Sequence, residues 1–346
     1  MRISEPQLTE RQRRILRLVV EEYVTTGQPV GSKSLVERGS IAVSSSTVRN
    51  DFAALESRGL LTQPHTSAGR VPTESGYRVY AETVLEELEP RPGVFPLDLM
   101  IARREVDTAL QATTEMLSQV TRLLALVSAP PLETTTVRRA EVLLLQPAVV
   151  MVVVITSTGG VTKRIVRFDA PVDPGLASWA GEYLNDALAG LTLGSSAVRS
   201  RLSDPQLSEG ERTFLDRLRP AFTRAADDEQ RLYVGGAAGL LDDVRTDELD
   251  SYRRLFEVLE KRAALLELMR GSLDPRRPYV RVGEELDRPE LADVALVGAA
   301  YGLAHRTLGT VGLLGPVRMD YDKAIRTVHS AAAALSRFVA DVYDEN

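Results

Sequence analysis

The chain has 346 residues, 44% hydrophobic and 26% charged, with three histidines, no cysteine and a formal charge of −6. Without cysteine there is no disulfide, thiolate zinc site, iron–sulfur cluster or cysteine nucleophile. The longest apolar run, Ala148 to Ile155, is far below the roughly 20 residues that span a bilayer, and Met1 to Pro6 lacks the apolar core of a secretory signal. A cytoplasmic protein without membrane association is expected, and its length calls for more than one domain, because single cores seldom grow past about 250–300 residues.

Charge is unevenly distributed. Residues 1–80 hold eleven Lys or Arg against eight acids, or +3, so the other 266 residues carry −9. A cationic head on an anionic body is the asymmetry expected of a chain that meets phosphate at one end.

In chain order, Thr9 and Gln12 form a capping box ahead of the stripe Ile15, Leu16, Val19, Val20 and Tyr23. Ser32 is placed to cap a short second helix, and Ser44 to cap a third from Ser45 to Arg58 with Gly59 as its stop. Leu60 to Gln63 and Arg70 to Val71 read as strand pieces around a turn, and Thr73 begins a fourth helix with inner face Tyr77, Tyr80, Ala81 and Val84. That order predicts a winged helix-turn-helix over residues 1–89. Pro90, Pro92, Gly93 and Pro96 then predict a linker.

A long helix is expected from Asp98 to about Ser128. Its seam of Val106, Leu110, Thr113, Leu117, Val120, Leu124 and Val127 fits core packing or a coiled coil, with core packing preferred. Val137 to Leu145, Ala148 to Ile155 and Val161 to Phe168 predict strands, and a helix follows around Leu176 to Leu191. A charged, mostly helical stretch then carries one strand candidate, Arg231 to Val234. Strands at Tyr279 to Val282, Val294 to Leu303 and Thr310 to Leu314 precede a final helix from Asp322 to Tyr343. The pattern predicts an α+β, multidomain chain in which one domain, 98–191 plus 278–346, is interrupted by a helical insert, 192–277.

The stretch Val43 to Leu61 is the most informative. On a helix, Val48, Phe52 and Leu55 share one face and anchor it, leaving Ser46, Asn50, Ala53 and Ser57 opposite, flanked by Thr47 and Arg49. Small side chains let a helix enter the major groove, where Asn pairs with adenine and Arg with guanine. Ser44, Ser45 and Thr47 suit phosphate at the positive helix end. His65 and Arg70 would serve in the wing. The alternative for all of these is a face that meets only water.

No enzyme site is expected. None of the four lysines sits in a Walker A loop, and Gly235-Gly236-Ala-Ala-Gly239 misses the dinucleotide fingerprint. His305 and His329 lack any paired ligand motif. Glu86-Glu87, Asp227-Asp228-Glu229 and Asp242-Asp243 read as solvated faces. No cofactor or metal is expected.

The segments TGQPVGSKSL (Thr26 to Leu35), SSSTVRNDFAALESRGLL (Ser44 to Leu61), QPHTSAGRVPTESGYRVY (Gln63 to Tyr80) and GPVRMDY (Gly315 to Tyr321) resemble the HrcA family of heat-inducible transcription repressors. The family pattern differs at Ser46, where another small residue stands, and near Phe52, where a methionine does. The resemblance implies a winged helix, a GAF-like domain and an inserted dimerising domain. It also implies a homodimer on an inverted-repeat operator of double-stranded DNA, the CIRCE element, that represses chaperone operons and is kept active by the GroEL chaperonin. The insert's Phe214, Leu218, Phe222, Leu255, Phe256, Leu259, Leu265 and Leu266 fit either a subunit interface, which is preferred, or a core of their own. Two further readings stay open: a metabolite-gated winged-helix regulator, and an adaptor that contacts only protein.

Overall fold

The computed structural model describes residues 8–37, 41–65, 69–99, 105–130, 136–157, 160–223, 232–237, 262–269 and 277–344. Helix α1 (Glu10–Thr26) opens on the expected capping box. The Thr9 hydroxyl accepts from Gln12 N at 3.2 Å and the Gln12 side chain accepts from Thr9 N at 3.1 Å. After α2 (Ser32–Glu37) and α3 (Ser45–Ser57), Gly59 turns the chain at φ +70 into β1 (Leu61–Thr62). An antiparallel β2 (Val71–Pro72) follows, and Val30 joins this small sheet through a bridge to Arg70. Helix α4 (Glu74–Glu86) then passes so close to β1 that a Cβ on Gly76 would collide with the Leu60 carbonyl oxygen. This is the element order expected of a winged helix-turn-helix.

The body is a five-stranded antiparallel sheet in the order β7-β3-β10-β9-β8. Its strands are β3 (Leu124–Ser128), β7 (Leu232–Gly235), β8 (Tyr279–Val282), β9 (Val294–Leu303) and β10 (Arg306–Pro316). Alternation divides each strand between two cores. Ala125, Val127, Val297 and Leu313 face α5 (Val106–Thr121) and the last helix, α11 (Tyr321–Asp344). Leu124, Leu126, Leu296 and Leu314 pack with Leu265 and Met269 of α10 (Arg262–Met269).

A second sheet, β4 (Val137–Gln146), β5 (Val149–Thr156) and β6 (Val161–Arg167), is ordered β4-β5-β6. Four helices accompany it: α6 (Pro174–Leu188), α7 (Ser196–Leu202), α8 (Glu209–Leu218) and α9 (Pro220–Thr223). Val150, Val152 and Val154 lie under Ala180, Leu184 and Leu188 in a core of their own. Asn185 pins α6 to β4, donating to the Ala140 carbonyl at 2.7 Å and accepting from Ala140 N at 2.8 Å.

Several sequence expectations change. No helix runs from Asp98 to Ser128: α5 begins after an extended Glu105 and ends at Arg122 in the left-handed conformation, and Leu124 to Ser128 is a central strand. Every residue of that strand is buried, so its apolar run carries no period to tell strand from helix. The coiled-coil alternative fails too, because Val106, Leu110, Thr113 and Leu117 are buried within the chain. The apolar cores divide elsewhere than at residue 192. The chain leaves the main sheet after β3 and returns at β7, so β4–β6 belong with the helices that follow them. Phe214, Leu218 and Phe222 fill that unit's interior and Leu265 and Leu266 the body's, so none is free to form a subunit interface. Leu255, Phe256 and Leu259, with Asp227-Asp228-Glu229 and Asp242-Asp243, lie outside the described residues. Ser32 opens α2 from inside the helix, buried, instead of preceding it as a cap.

Candidate nucleic-acid interface

Helix α3 is held from one side. Val48, Phe52 and Leu55 are buried, each such side chain contributing about 1.5–3 kcal/mol. Asp51 lies on the same face and is buried as well; Arg11 of α1 reaches it with Nε at 2.8 Å and Nη2 at 3.2 Å. A charge carried inward requires a partner, and this one bolts α3 across α1. The guanidinium of Arg11, beside that carboxylate, holds its proton more firmly than usual.

The opposite face is open. Ser46, Arg49, Asn50, Ala53 and Ser57 are exposed. At the helix start, Ser44 accepts from Thr47 N at 3.2 Å, and its hydroxyl lies 2.7 Å from that of Ser46 and 2.9 Å from that of Thr47. These hydroxyls sit with the unpaired N–H groups and positive dipole of the first turn, a ready anion cradle. Ser45 is half-buried beside them. Arg49 donates through Nε to the buried Ser32 hydroxyl at 3.3 Å, which spares its two terminal nitrogens, the pair that reads guanine O6 and N7.

The wing residues separate. His65 is exposed. Arg70 is turned inward, its Nε and Nη2 on Glu56 Oε2 at 3.1 and 2.9 Å, and its backbone N–H and carbonyl paired with Val30. It clamps the wing to the C-terminal half of α3. Two further head arginines are engaged: Arg17 with Glu21 and Glu87, and Arg78 with Glu82 and Glu285. Glu87 is thus an ion-pair partner, not merely a solvated acid.

Sequence reasoning missed three residues that shape this face: Ser32, Asp51 and Glu56. Only Asp51 left a signal. It falls between Val48 and Leu55 on the inner face of α3, where an unpartnered carboxylate is costly. Its partner, 40 positions away, left none.

The head is continuous with the body. Tyr77 and Tyr80 of α4 pack against Tyr321 with ring centroids 6.0 and 6.4 Å apart. Arg78 donates to Glu285 at 2.9 Å and to the Val280 carbonyl at 3.2 Å, and Glu74 accepts from Glu284 N at 3.1 Å. Burial pushes the Tyr80 and Tyr321 hydroxyls well up, so both stay protonated. One hydrophobic cluster runs from Ile15 to Val342. Among the described residues no helix is long and apolar enough to cross a membrane, and no cluster of His, Asp and Glu is arranged to hold a metal.

Residues 107–325 match the family described as the HrcA protein C terminal domain. The heat-inducible transcription repressor HrcA of Mycolicibacterium vanbaalenii is 37% identical over 342 residues, covering 96% of this chain and 97% of the relative. That of Nocardia farcinica is 36% identical over 342 residues, covering 97% of each. A crystal structure described as that of a hypothetical protein is 25% identical, with a TM-score of 0.64 over 97% of this chain and 98% of the other.

Proposed function

Since this chain belongs to the HrcA family of heat-inducible transcription repressors, we propose that it is a non-enzymatic, cytoplasmic repressor of chaperone operons that binds an inverted-repeat operator as a homodimer. The observation that carries this is the geometry of α3: one face bolted to its domain, the other presenting Ser46, Arg49, Asn50, Ala53 and Ser57 to solvent. In this reading Arg49 and Asn50 read bases, while Ser44, Ser45, Thr47 and the wing with His65 hold phosphates. Arg70 positions the wing from its Glu56 pair.

The dimer finds support in the second sheet. Its outer face carries Leu143, Met151 and Ile165 in one register row, with Leu145 next to it along β4 and Val161 two rows away, beyond Glu141, Val153 and Lys163. Ile165 is 60% exposed and Val161 49%. The rest of this face is polar, with Arg139, Glu141, Lys163 and Arg167 around the apolar row; an exposed apolar patch with a polar rim is what a two-fold partner would cover. A two-fold pair of heads matches two half-sites of an inverted repeat. In place of the interface expected from Phe214 and its neighbours, we propose this face, and Ile165→Asp should yield monomers in sedimentation velocity at micromolar concentration.

Recovery of active protein by the GroEL chaperonin rests on the family resemblance alone; an equal active fraction after refolding with and without chaperonin would refute it. The operator reading is tested by anisotropy on labelled inverted-repeat chaperone-operator DNA against a scrambled duplex across a salt series. Asn50→Ala or Arg49→Ala should cost about 1–3 kcal/mol on the operator and leave scrambled binding unchanged. Equal losses on both duplexes would remove these residues from base reading.

A further inference from the structure

A cleft of about 850 Å³ opens between the β9–β10 turn, α11 and the Pro90–Pro92 segment that leaves α4. It owes its room to small side chains: Ala332, Ala333 and Ala340 on the lining face of α11. The volume is within the roughly 300–1,000 Å³ of small-molecule sites.

Its polar lining is one-sided in charge. His305 and Arg306 enter from the turn and His329 and Arg337 from α11, and among the described residues no Asp or Glu lines the cleft. Arg11, Arg17, Arg70 and Arg78 each have a carboxylate partner; among the described residues Arg306 and Arg337 have none. Two further lining side chains are already satisfied. Ser336 donates to the Ala332 carbonyl at 2.8 Å and accepts from Gly302 N at 3.1 Å, and Tyr301 donates to the Ser128 carbonyl at 2.6 Å. Partial burial favours the neutral form of His329, leaving the arginines as the cations a ligand would meet.

We propose that this cleft binds a small organic anion, a carboxylate or phosphate monoester with an apolar body. The anionic group pairs with Arg306 and Arg337, which suit planar or tetrahedral oxyanions. The apolar body lies against the alanines of α11 and the prolines of the linker. Because Pro90 and Pro92 form one wall, the ligand touches the segment that ties the DNA-binding head to the body. This site is separate from the operator reading and stands or falls without DNA.

The test is a ligand-detected NMR titration of the full-length protein with phenyl phosphate, benzoate and, as the uncharged probe, benzyl alcohol. Both anions should saturate, and benzyl alcohol should bind at least tenfold more weakly. Arg306→Gln/Arg337→Gln should weaken the anions at least tenfold with an unchanged unfolding midpoint, as both side chains are exposed. Arg326→Gln, on α11 but outside the cleft and paired with Asp322, should bind as the wild type does. Tighter binding of phenyl phosphate assigns a phosphate monoester, and tighter binding of benzoate a carboxylate. No saturable anion binding, benzyl alcohol binding as well as the anions, or undiminished binding by the double variant would each overturn the proposal.

Discussion

Helices α3 and α4 are both thirteen residues long, both capped by a hydroxyl and both amphipathic, yet the fold treats them oppositely. Helix α3 is gripped along one face by α1, α2 and the small sheet and shows its other face to solvent. Helix α4 is gripped twice, by the head through Gly76 and Tyr80 and by the body through Tyr77, Arg78 and the Tyr321 ring. The difference separates two jobs. A surface helix whose stability is supplied entirely from behind can devote its front to DNA; one gripped by both head and body transmits position and leaves exposed only a stripe of Ser75, Glu82 and Glu86, whose acids repel phosphate.

That contrast is breakable. The largest effect should come from Tyr321→Ala, which empties the aromatic joint under α4; removal of a fully buried large side chain costs about 3–5 kcal/mol. Chemical denaturation should register it, with operator affinity falling only in proportion to the folded fraction. On α3 the pattern should invert. Asn50→Ala should move stability by no more than about 0.5 kcal/mol, while losing the operator energy given above. Should Asn50→Ala unfold the head instead, the division between the two helices would be wrong.

Smaller effects sharpen the picture. Ser44→Ala removes the N-cap of α3, worth about 1 kcal/mol of stability, and should also weaken binding to scrambled DNA, because the same hydroxyl sits in the anion cradle. The smallest concerns His329. Burial lowers its folded value below the usual 6.5, so the folded protein prefers the neutral ring. Its contribution is complete above about pH 6.5 and is lost as pH falls through the depressed folded value, because the unfolded chain takes up the proton first. Unfolding midpoints from pH 7.5 to 5 should fall less steeply in His329→Gln. An unchanged acid limb would remove His329 as its source.

Legibility followed the range of the interaction. The caps of α1 and α3, the anchoring face of Val48, Phe52 and Leu55, the inner face of α4 and the β5–β6 hairpin depend on neighbours a few residues away, and all were readable from spacing. Strand β3 was read as helix because an entirely buried strand has no alternation. The β3–β7 pairing joins residues about a hundred positions apart and left no trace in the pattern, which is why the interruption of the body was drawn too late in the chain. At the candidate interface, the exposed residues of α3 were legible. The inward turn of Arg70 and the use of Ser32 to hold Arg49 were not, because a side chain's partner is chosen by the fold.

By itself, then, the sequence determined the local grammar of this protein: where α1, α3 and α4 start, which face of α3 is apolar, and that the head is cationic. These follow from backbone capping and 3.6-residue periodicity, which act within a turn or two. Tertiary structure decided which cations remain available, that the Pro90–Pro96 segment joins parts of one continuous core, and that β4–β6 leave Leu143, Leu145 and Ile165 exposed on their outer face. Ion pairing and burial depend on what the folded chain brings within a few ångströms, and residues far apart in sequence meet there only once the sheet order is set.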